Sequence, residues 1–359
     1  MPEPPVVTVL MTTFNDAAFL PDAVRSVLTQ TFTEFEFLII DDGSTDGTSG
    51  YLRGLTDPRI RVVRNESNLG LTRSLKRGVE SARGRFIARL DADDVALPRR
   101  LERQVRFMEE QTGVAILGSG CVLMDETGKS LALQRQPESD LAIRWTSLSA
   151  NPFVHSTVML RRQVLLNHEL NYDAAYETSQ DYDLWTRLLR YAKGANLPEA
   201  LIRYRVRRGV TRQRREGQLE NARSIAARTI QTELPVCSLQ PDQLRGLLDL
   251  PYPELWSQRI PRPGLAHLIR LQCDLYSDFA AKYRSHPDLP MLRRRYFSQA
   301  ARFLCRAGFP PGWANVWALV LRKEPLAPIW AGLEVLRALG RRISSMGPRL
   351  SWKNAVEHQ

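Results

Sequence analysis

Phe35-Glu36-Phe37-Leu38-Ile39-Ile40 runs without a break into Asp41-Asp42-Gly43-Ser44. A short apolar run that ends in an acidic turn reads as a buried strand with carboxylates at its carboxyl end. The pattern recurs where Phe86-Ile87-Ala88-Arg89-Leu90 runs into Asp91-Ala92-Asp93-Asp94. Upstream, Val6-Val7-Thr8-Val9-Leu10-Met11 reads as a first strand, with a helix from about Pro21 to Leu28 leading to the second. Between the acidic runs, Ile60 to Val63 gives a third strand and Thr72 to Arg83 a helix stopped by Gly84. Pro98 starts a further helix through about Glu110, with Leu101, Val105 and Met108 on one face, before a strand at Ala115 to Gly118. Strands that alternate with helices predict the α/β class, a Rossmann-like and mostly parallel sheet flanked by helices. Ligands of such sheets bind outside the carboxyl ends of the strands, so the two acidic loops are expected to converge on one ligand.

Past the turn Asp125-Glu126-Thr127-Gly128 the pattern loosens, and a helix around Asp183 to Tyr191 closes this part. Beyond about residue 220 helical periods are broken by Pro251-Tyr252-Pro253 and Pro261-Arg262-Pro263. The expected division is a catalytic domain over 1–225 and a mainly helical C-terminal region over 226–359. In that region Trp313, Val316, Trp317, Val320 and Leu321 share one helical face ahead of Arg322-Lys323. Such a face suits packing on the catalytic domain, a homodimer contact or shallow docking on an anionic membrane.

Hydrophobic residues at 43% and charged residues at 25% exclude the disordered, collagen-like and coiled-coil classes. Residues 230–359 hold 18 Lys and Arg against 10 Asp and Glu, so most of the net charge of +11 sits in the tail. Together with the Arg-rich run from Arg203 to Arg215, this charge is the sole support for nucleic-acid binding. No nucleic-acid module is recognisable, and the acidic loops would repel phosphate unless a cation intervened, so no nucleic-acid partner is expected. Cys121, Cys237, Cys273 and Cys305 form no Cys-x-x-Cys, which argues against a zinc site or a disulfide framework. No Gly-x-Gly-x-x-Gly follows the first strand, which disfavours a nicotinamide dehydrogenase. Met1-Pro2-Glu3-Pro4-Pro5 is no basic, apolar leader and no stretch is apolar for the roughly 18 residues of a span. A cytoplasmic protein is expected, peripheral at most on the inner face of the membrane.

Asp91 and Asp93 place two carboxylates two residues apart after a strand. Mn2+ or Mg2+ favours such oxygen ligands and keeps positions open for phosphate, which suits the stabilisation of a departing diphosphate. The loop from Asp42 has the early spacing of a calcium loop, but its twelfth position is Arg53 and no helix leads in, so a plain turn or a carboxylate for a base or ribose hydroxyl remains. Gln180-Asp181-Tyr182-Asp183-Leu184-Trp185 puts acids at a helix start, where they serve either as caps or as a general base toward an acceptor hydroxyl. His155 is as suited to a structural role as to an acceptor site, and no two histidines have the helix spacing of a zinc pair.

These segments resemble glycosyltransferase family 2, the inverting family with the GT-A fold. The resemblance rests on Val9 to Asn15, Ile39 to Asp46, Asn68-Leu69-Gly70-Leu71, Ala88 to Asp94 and Gln180 to Trp185, in the family's order, over about residues 5–215. It implies a metal-dependent transfer, without a covalent intermediate, from a nucleotide-diphosphate sugar, in particular a UDP-sugar, to a hydroxyl of a lipid-linked or growing cell-surface glycan. By the same resemblance Thr12, Asn15, Asp42, Arg73 and Asp91 contact the donor, and Asp93 with Asp91 holds the Mn2+ or Mg2+. Asp181 would be the base, with His155, Asp183 and Trp185 at the acceptor. A non-catalytic sensor of sugar nucleotides is the alternative, against which intact Asp91, Asp93 and Asp181 argue. Two departures stand out. Tyr204-Arg205-Val206-Arg207 carries Arg207 where many members have His, and arginine suits phosphate rather than a metal. The Gln-x-x-Arg-Trp motif of processive synthases is absent after Asp181, which points to single addition.

Overall fold

The computed structural model describes residues 4–207, 212–235, 239–249 and 262–297. The elements begin β1 (Val7–Thr13), α1 (Leu20–Leu28), β2 (Phe35–Asp41), α2 (Thr48–Arg53), β3 (Ile60–Arg64), α3 (Leu71–Ser81) and β4 (Phe86–Asp91). They continue with β5 (Val95–Ala96), α4 (Arg100–Glu110), β6 (Val114–Met124), β7 (Ser130–Gln134), α5 (Asp140–Ser147), a 3-10 turn (His155–Thr157) and β8 (Met159–Arg161). Then come α6 (Arg162–Asn167), α7 (Gln180–Leu188), β9 (Lys193–Arg205), α8 (Arg212–Glu233), α9 (Pro241–Asp249) and α10 (Arg262–Lys282).

One sheet carries all nine strands in the order β3-β2-β1-β4-β8-β6-β9-β5, with β7 paired to β6. The first four strands are parallel, with β1 between β2 and β4. Strand β8 joins β4 antiparallel, and β6 and β9 pair parallel beyond it. The expected mostly parallel sheet flanked by helices is thus present, with antiparallel additions on one side.

Both sheet faces are covered, which is why the strands read as unbroken apolar runs. Val9 and Met11 of β1 pack with Val24 of α1 and Leu101, Val105 and Met108 of α4. On the opposite face Leu10, Leu38 and Ile40 pack with Leu75 of α3 and Leu184, Trp185 and Leu188 of α7. Each such buried side chain contributes about 1.5–3 kcal/mol relative to exposure.

Two sequence expectations need correction. Helix α3 ends at Ser81 with Ala82 as its cap, so Gly84 does not stop it. A Cβ on Gly84 would stand 2.3 Å from the Thr8 backbone nitrogen, so this glycine lets β4 enter beside β1. The last helix of this part begins at Gln180 rather than Asp183, which places Asp181 in its first turn.

The chain divides into two compact units, Met1–Ser238 and Leu239–Gln359. Helix α8, which spans residue 225, belongs to the first: Asn221 Nδ2 donates to the Thr178 carbonyl (3.1 Å) and Oγ1 (2.9 Å). In the second unit the Tyr276 and Tyr296 rings stack at 4.5 Å, and buried Phe297 meets both edge-on. The amphipathic segment at Trp313 to Leu321 lies outside the described residues, as does the joint at Pro251-Tyr252-Pro253. Among the described residues no helix is long and apolar enough to cross a membrane.

Candidate functional site

Register assembles the site. Thr12 of β1 is flanked by Ile40 of β2 and Asp91 of β4, so the parallel strands bring both acidic loops to one edge. Thr12, Asp42, Asp91 and Asp93 line one cleft of about 450 Å3, whose rim includes Asp16 and Arg207. The convergence expected of the acidic loops is therefore observed.

Asp42 is buried and already engaged. Its Oδ1 accepts from Asn65 Nδ2 (2.7 Å) and the Leu69 N–H (2.9 Å), and its Oδ2 from the Gly70 N–H (2.9 Å). A carboxylate offers about four acceptor sites, so Asp42 fixes the 69–70 turn and keeps roughly one for a ligand. Gly43 makes this possible. It sits at φ +73°, and a Cβ there would stand 2.6 Å from the Ser67 carbonyl carbon. Asp41 faces away and accepts from the Ser44 N–H (2.9 Å), Ser49 Oγ (2.6 Å) and Arg64 Nη1 (2.8 Å). Burial opposes its charge, but those donors and the Arg64 cation hold its carboxyl below the usual range.

Beneath the Asp91–Asp94 loop lies a fully buried arginine that the sequence reading passed over as an ordinary strand residue. Arg89 donates to Thr12 Oγ1 (3.2 Å) and to Asp91 Oδ1, while Asp91 Oδ2 accepts from Ser156 Oγ (2.7 Å). Burial works against the charge of Asp91, and the Arg89 and His155 sides of the pocket outweigh it, so its carboxyl stays below the usual range. Asp93 goes the other way, raised by burial and by the Asp91 charge. Asp94 is raised further by burial and by both neighbours. Its Oδ1 accepts from the Arg205 N–H (2.7 Å). Arg205 also clamps this loop through the Asp93 carbonyl (2.8 Å).

Other expected site residues fall elsewhere. Asn15 does not line the cleft: at φ +56° its Oδ1 accepts from the Thr45 (2.8 Å) and Asp46 (3.3 Å) N–H groups and staples two loops together. Arg73 lines a second cavity of about 890 Å3, with Glu177 and Glu220, which shares Asn68, Gly70 and Leu71 with the first. Asp181 is half-buried and outside the lining of the first cleft; it accepts from Asn151 Nδ2 (2.7 Å) and from the Tyr182 N–H (2.8 Å). Its charge nonetheless acts on His155 and Tyr204, as that of Asp91 does, so His155 lies in the field of both carboxylates. The ring of His155 meets Tyr172 Oη at 2.9 Å, and burial and then the Arg89 cation lower its pKa.

Asp183 and Trp185, expected at the acceptor, are both 0% exposed in this structure, and neither lines the donor cleft. Trp185 packs edge-on to Phe153 and Tyr172 at 6.3 Å and supports His155 at 6.1 Å. Asp183 accepts from Arg187 (2.6 Å) on its own helix and from Arg228 (2.6 Å) on α8, tying α8 to α7. Asp183→Asn leaves two cations without their counter-charge, so a loss of about 3 kcal/mol in a chemical-denaturation midpoint experiment is expected.

Among the described residues no group of three or more His, Cys, Asp or Glu is disposed to hold a metal unaided. What the site does offer is an Asp91–Asp93 pair whose repulsion raises Asp93, beside an open cleft. That donor set fits an ion that keeps most of its coordination for phosphate and water.

A family profile described as Glycosyl transferase family 2 matches residues 8–168. An uncharacterized glycosyltransferase of Haemophilus influenzae is 31% identical over 212 residues, 56% of this chain and 66% of that protein. EpsE of Bacillus subtilis, which carries a glycosyltransferase name, is 35% identical over 210 residues, 56% of this chain and 73% of that one. The amylovoran biosynthesis glycosyltransferase AmsE of Erwinia amylovora is 30% identical over 199 residues, 55% and 74% of the two chains. Among solved structures, S. aureus TarS 1-349 in complex with UDP-GlcNAc gives a TM-score of 0.55 at 18% identity, covering 82% of this chain and 87% of that one. The mannosyltransferase PcManGT of Pyrobaculum calidifontis, in complex with GDP-Man and Mn2+, gives 0.52 at 17%, covering 92% and 88%. The sheet order, the paired acidic loops and these likenesses agree: the fold is GT-A, and the chain belongs to glycosyltransferase family 2.

Proposed function

We propose that this chain transfers a single sugar, with inversion, from a UDP-sugar to a hydroxyl of a growing or lipid-linked cell-surface glycan. The observation that carries the reading is the shared cleft of Thr12, Asp42, Asp91 and Asp93 at the carboxyl ends of three parallel strands. Its size and acidity suit a nucleoside diphosphate that arrives with a cation. A UDP-sugar, and GDP-mannose with Mn2+, occupy proteins of this fold, and the AmsE name places a relative in polysaccharide synthesis.

In this reading Asp42 offers its remaining acceptor site to the base or ribose, and Thr12 lies beside it on β1. Asp93, with Asp91 next to it, would hold Mn2+ or Mg2+, which when bound offsets the charge that grows on the departing diphosphate. Arg89 keeps Asp91 ionised and aimed from below. The acceptor oxygen attacks the anomeric carbon, the bond to the diphosphate breaks, and the acceptor proton passes to Asp181. Asn151 orients that carboxylate, and His155, set by Tyr172 and Trp185, lies in the field of both it and Asp91. The work would take place at the inner face of the cytoplasmic membrane, where lipid-linked glycans are extended.

A thermal-shift panel of UDP-, GDP- and dTDP-sugars with and without Mn2+ tests the proposal. At a hundredfold excess over Kd a ligand stabilises the native state by about 2.7 kcal/mol, a shift of several degrees. The expected result is a rise with a UDP-sugar that disappears on addition of EDTA. A flat response to every nucleotide sugar would refute the assignment.

A further inference from the structure

Arg207 lies two residues past the end of β9, on the rim of the donor cleft. Its Nε donates to Asp93 Oδ2 (2.5 Å) and its Nη2 to Asp16 Oδ1 (2.6 Å). The guanidinium carbon stands 4.8 Å from the centre of the Phe19 ring, and Arg205 stands 4.5 Å from the same ring. The side chain is 41% exposed, whereas its partners Asp16 and Asp93 are 13% and 19% exposed. The bridge therefore lies at the mouth of the cleft, with the cation on the more exposed side and the carboxylates more deeply set.

The oxygen that Arg207 holds belongs to the carboxylate assigned to the metal. A guanidinium has no lone pair to give a metal, and its positive charge on Asp93 Oδ2 repels a divalent ion approaching the same carboxylate, so the two compete for Asp93. A partly exposed ion pair contributes at most a factor of about five to an equilibrium, a barrier low enough to be overcome. The released planar fork would remain on the rim of the same cleft, where it matches the geometry of phosphate oxygens.

We propose that Arg207 is a specificity-determining residue that guards Asp93 in the ligand-free protein and moves to the diphosphate when the metal and nucleotide arrive together. The inference rests on the reading of the cleft as a nucleoside-diphosphate site. Its content is a coupling: the free divalent ion is held off, and the ion accompanied by diphosphate is accepted because the displaced cation gains a new anionic partner.

The experiment uses the full chain with Arg207→Gln and Arg207→Lys. Mn2+ binding without nucleotide is followed by the electron paramagnetic resonance signal of the free ion, and binding of UDP and of GDP at saturating Mn2+ by titration calorimetry. Arg207→Gln should bind free Mn2+ about fivefold more tightly, because the competitor is gone. The same variant should bind the preferred diphosphate on the order of tenfold more weakly, because a charge-assisted contact is lost. Arg207→Lys keeps the cation but cannot bridge two acids and a phosphate as a fork, so Mn2+ binding should stay close to wild type while diphosphate binding falls. Opposite signs for the two ligands in Arg207→Gln are the signature, and a general loosening of the site would weaken both. Unchanged affinities, or a shift of both in one direction, overturn the guard role. If wild type binds neither UDP nor GDP in the presence of Mn2+, the reading of the cleft falls and the guard with it. Far-ultraviolet circular dichroism of both variants should match wild type, since the substituted side chain is 41% exposed.

Discussion

Asp93→Asn is expected to abolish metal-supported donor binding and to lower kcat/KM on the order of a thousandfold, because charge compensation at a departing diphosphate is the largest contribution such a site makes. The fold should not suffer. Burial and the neighbouring Asp91 charge already push the carboxyl of Asp93 toward its neutral form, so an amide of the same size removes repulsion. The melting temperature is therefore expected to stay level or rise while the Mn2+-dependent response to nucleotide sugar vanishes. Calorimetry of a UDP-sugar with and without Mn2+ checks this. Retained metal dependence in the variant would show that another residue holds the ion.

Asp181→Asn should separate binding from chemistry. The donor cleft does not include this side chain, so donor affinity is expected to match wild type. Transfer should fall by a factor of about 100–10,000, the range in which a positioned base contributes. The amide oxygen can still accept from Asn151, so the loop that Asp181 fastens stays in place. Single-turnover transfer to an acceptor is the measurement. A native rate would move the base elsewhere, with His155 as the next residue to substitute, since it lies in the field of both Asp91 and Asp181.

The division between legible and hidden parts follows burial. Strands β1 to β4 are covered on both faces, so their apolar runs are long enough to be read directly, and the acids that follow mark the ligand edge. The added strands gave no such signal. Strand β8 has three residues, β5 has two, and β9 follows shifts of register against β6 through Leu197-Pro198-Glu199, where neither period holds. Asp183 and Trp185 looked like site residues because they stand beside Asp181. Helix geometry turns Asp183, two positions on, onto another face, where it meets Arg228 of α8, while Trp185, one turn on from Asp181, is buried against Phe153, Tyr172 and His155. Arg89 was invisible for a related reason. An arginine inside an apolar run is as compatible with an exposed edge as with a buried counter-ion, and only the approach of Thr12 and Asp91 distinguishes the two.

The amino-acid order alone determined the α/β class, the family resemblance and the convergence of Asp42, Asp91 and Asp93. Those follow from the periods of hydrophobicity and from the rule that parallel strands present their carboxyl ends together. Which carboxylates remain available was decided only by the tertiary structure. Asp42 is largely used up by the 69–70 turn, Asp183 is sealed between two arginines, and Asp93 is matched with Arg207, 114 positions along the chain. Proximity in sequence shows which acids can share a site, but their charge state and free lone pairs depend on neighbours brought in by distant segments.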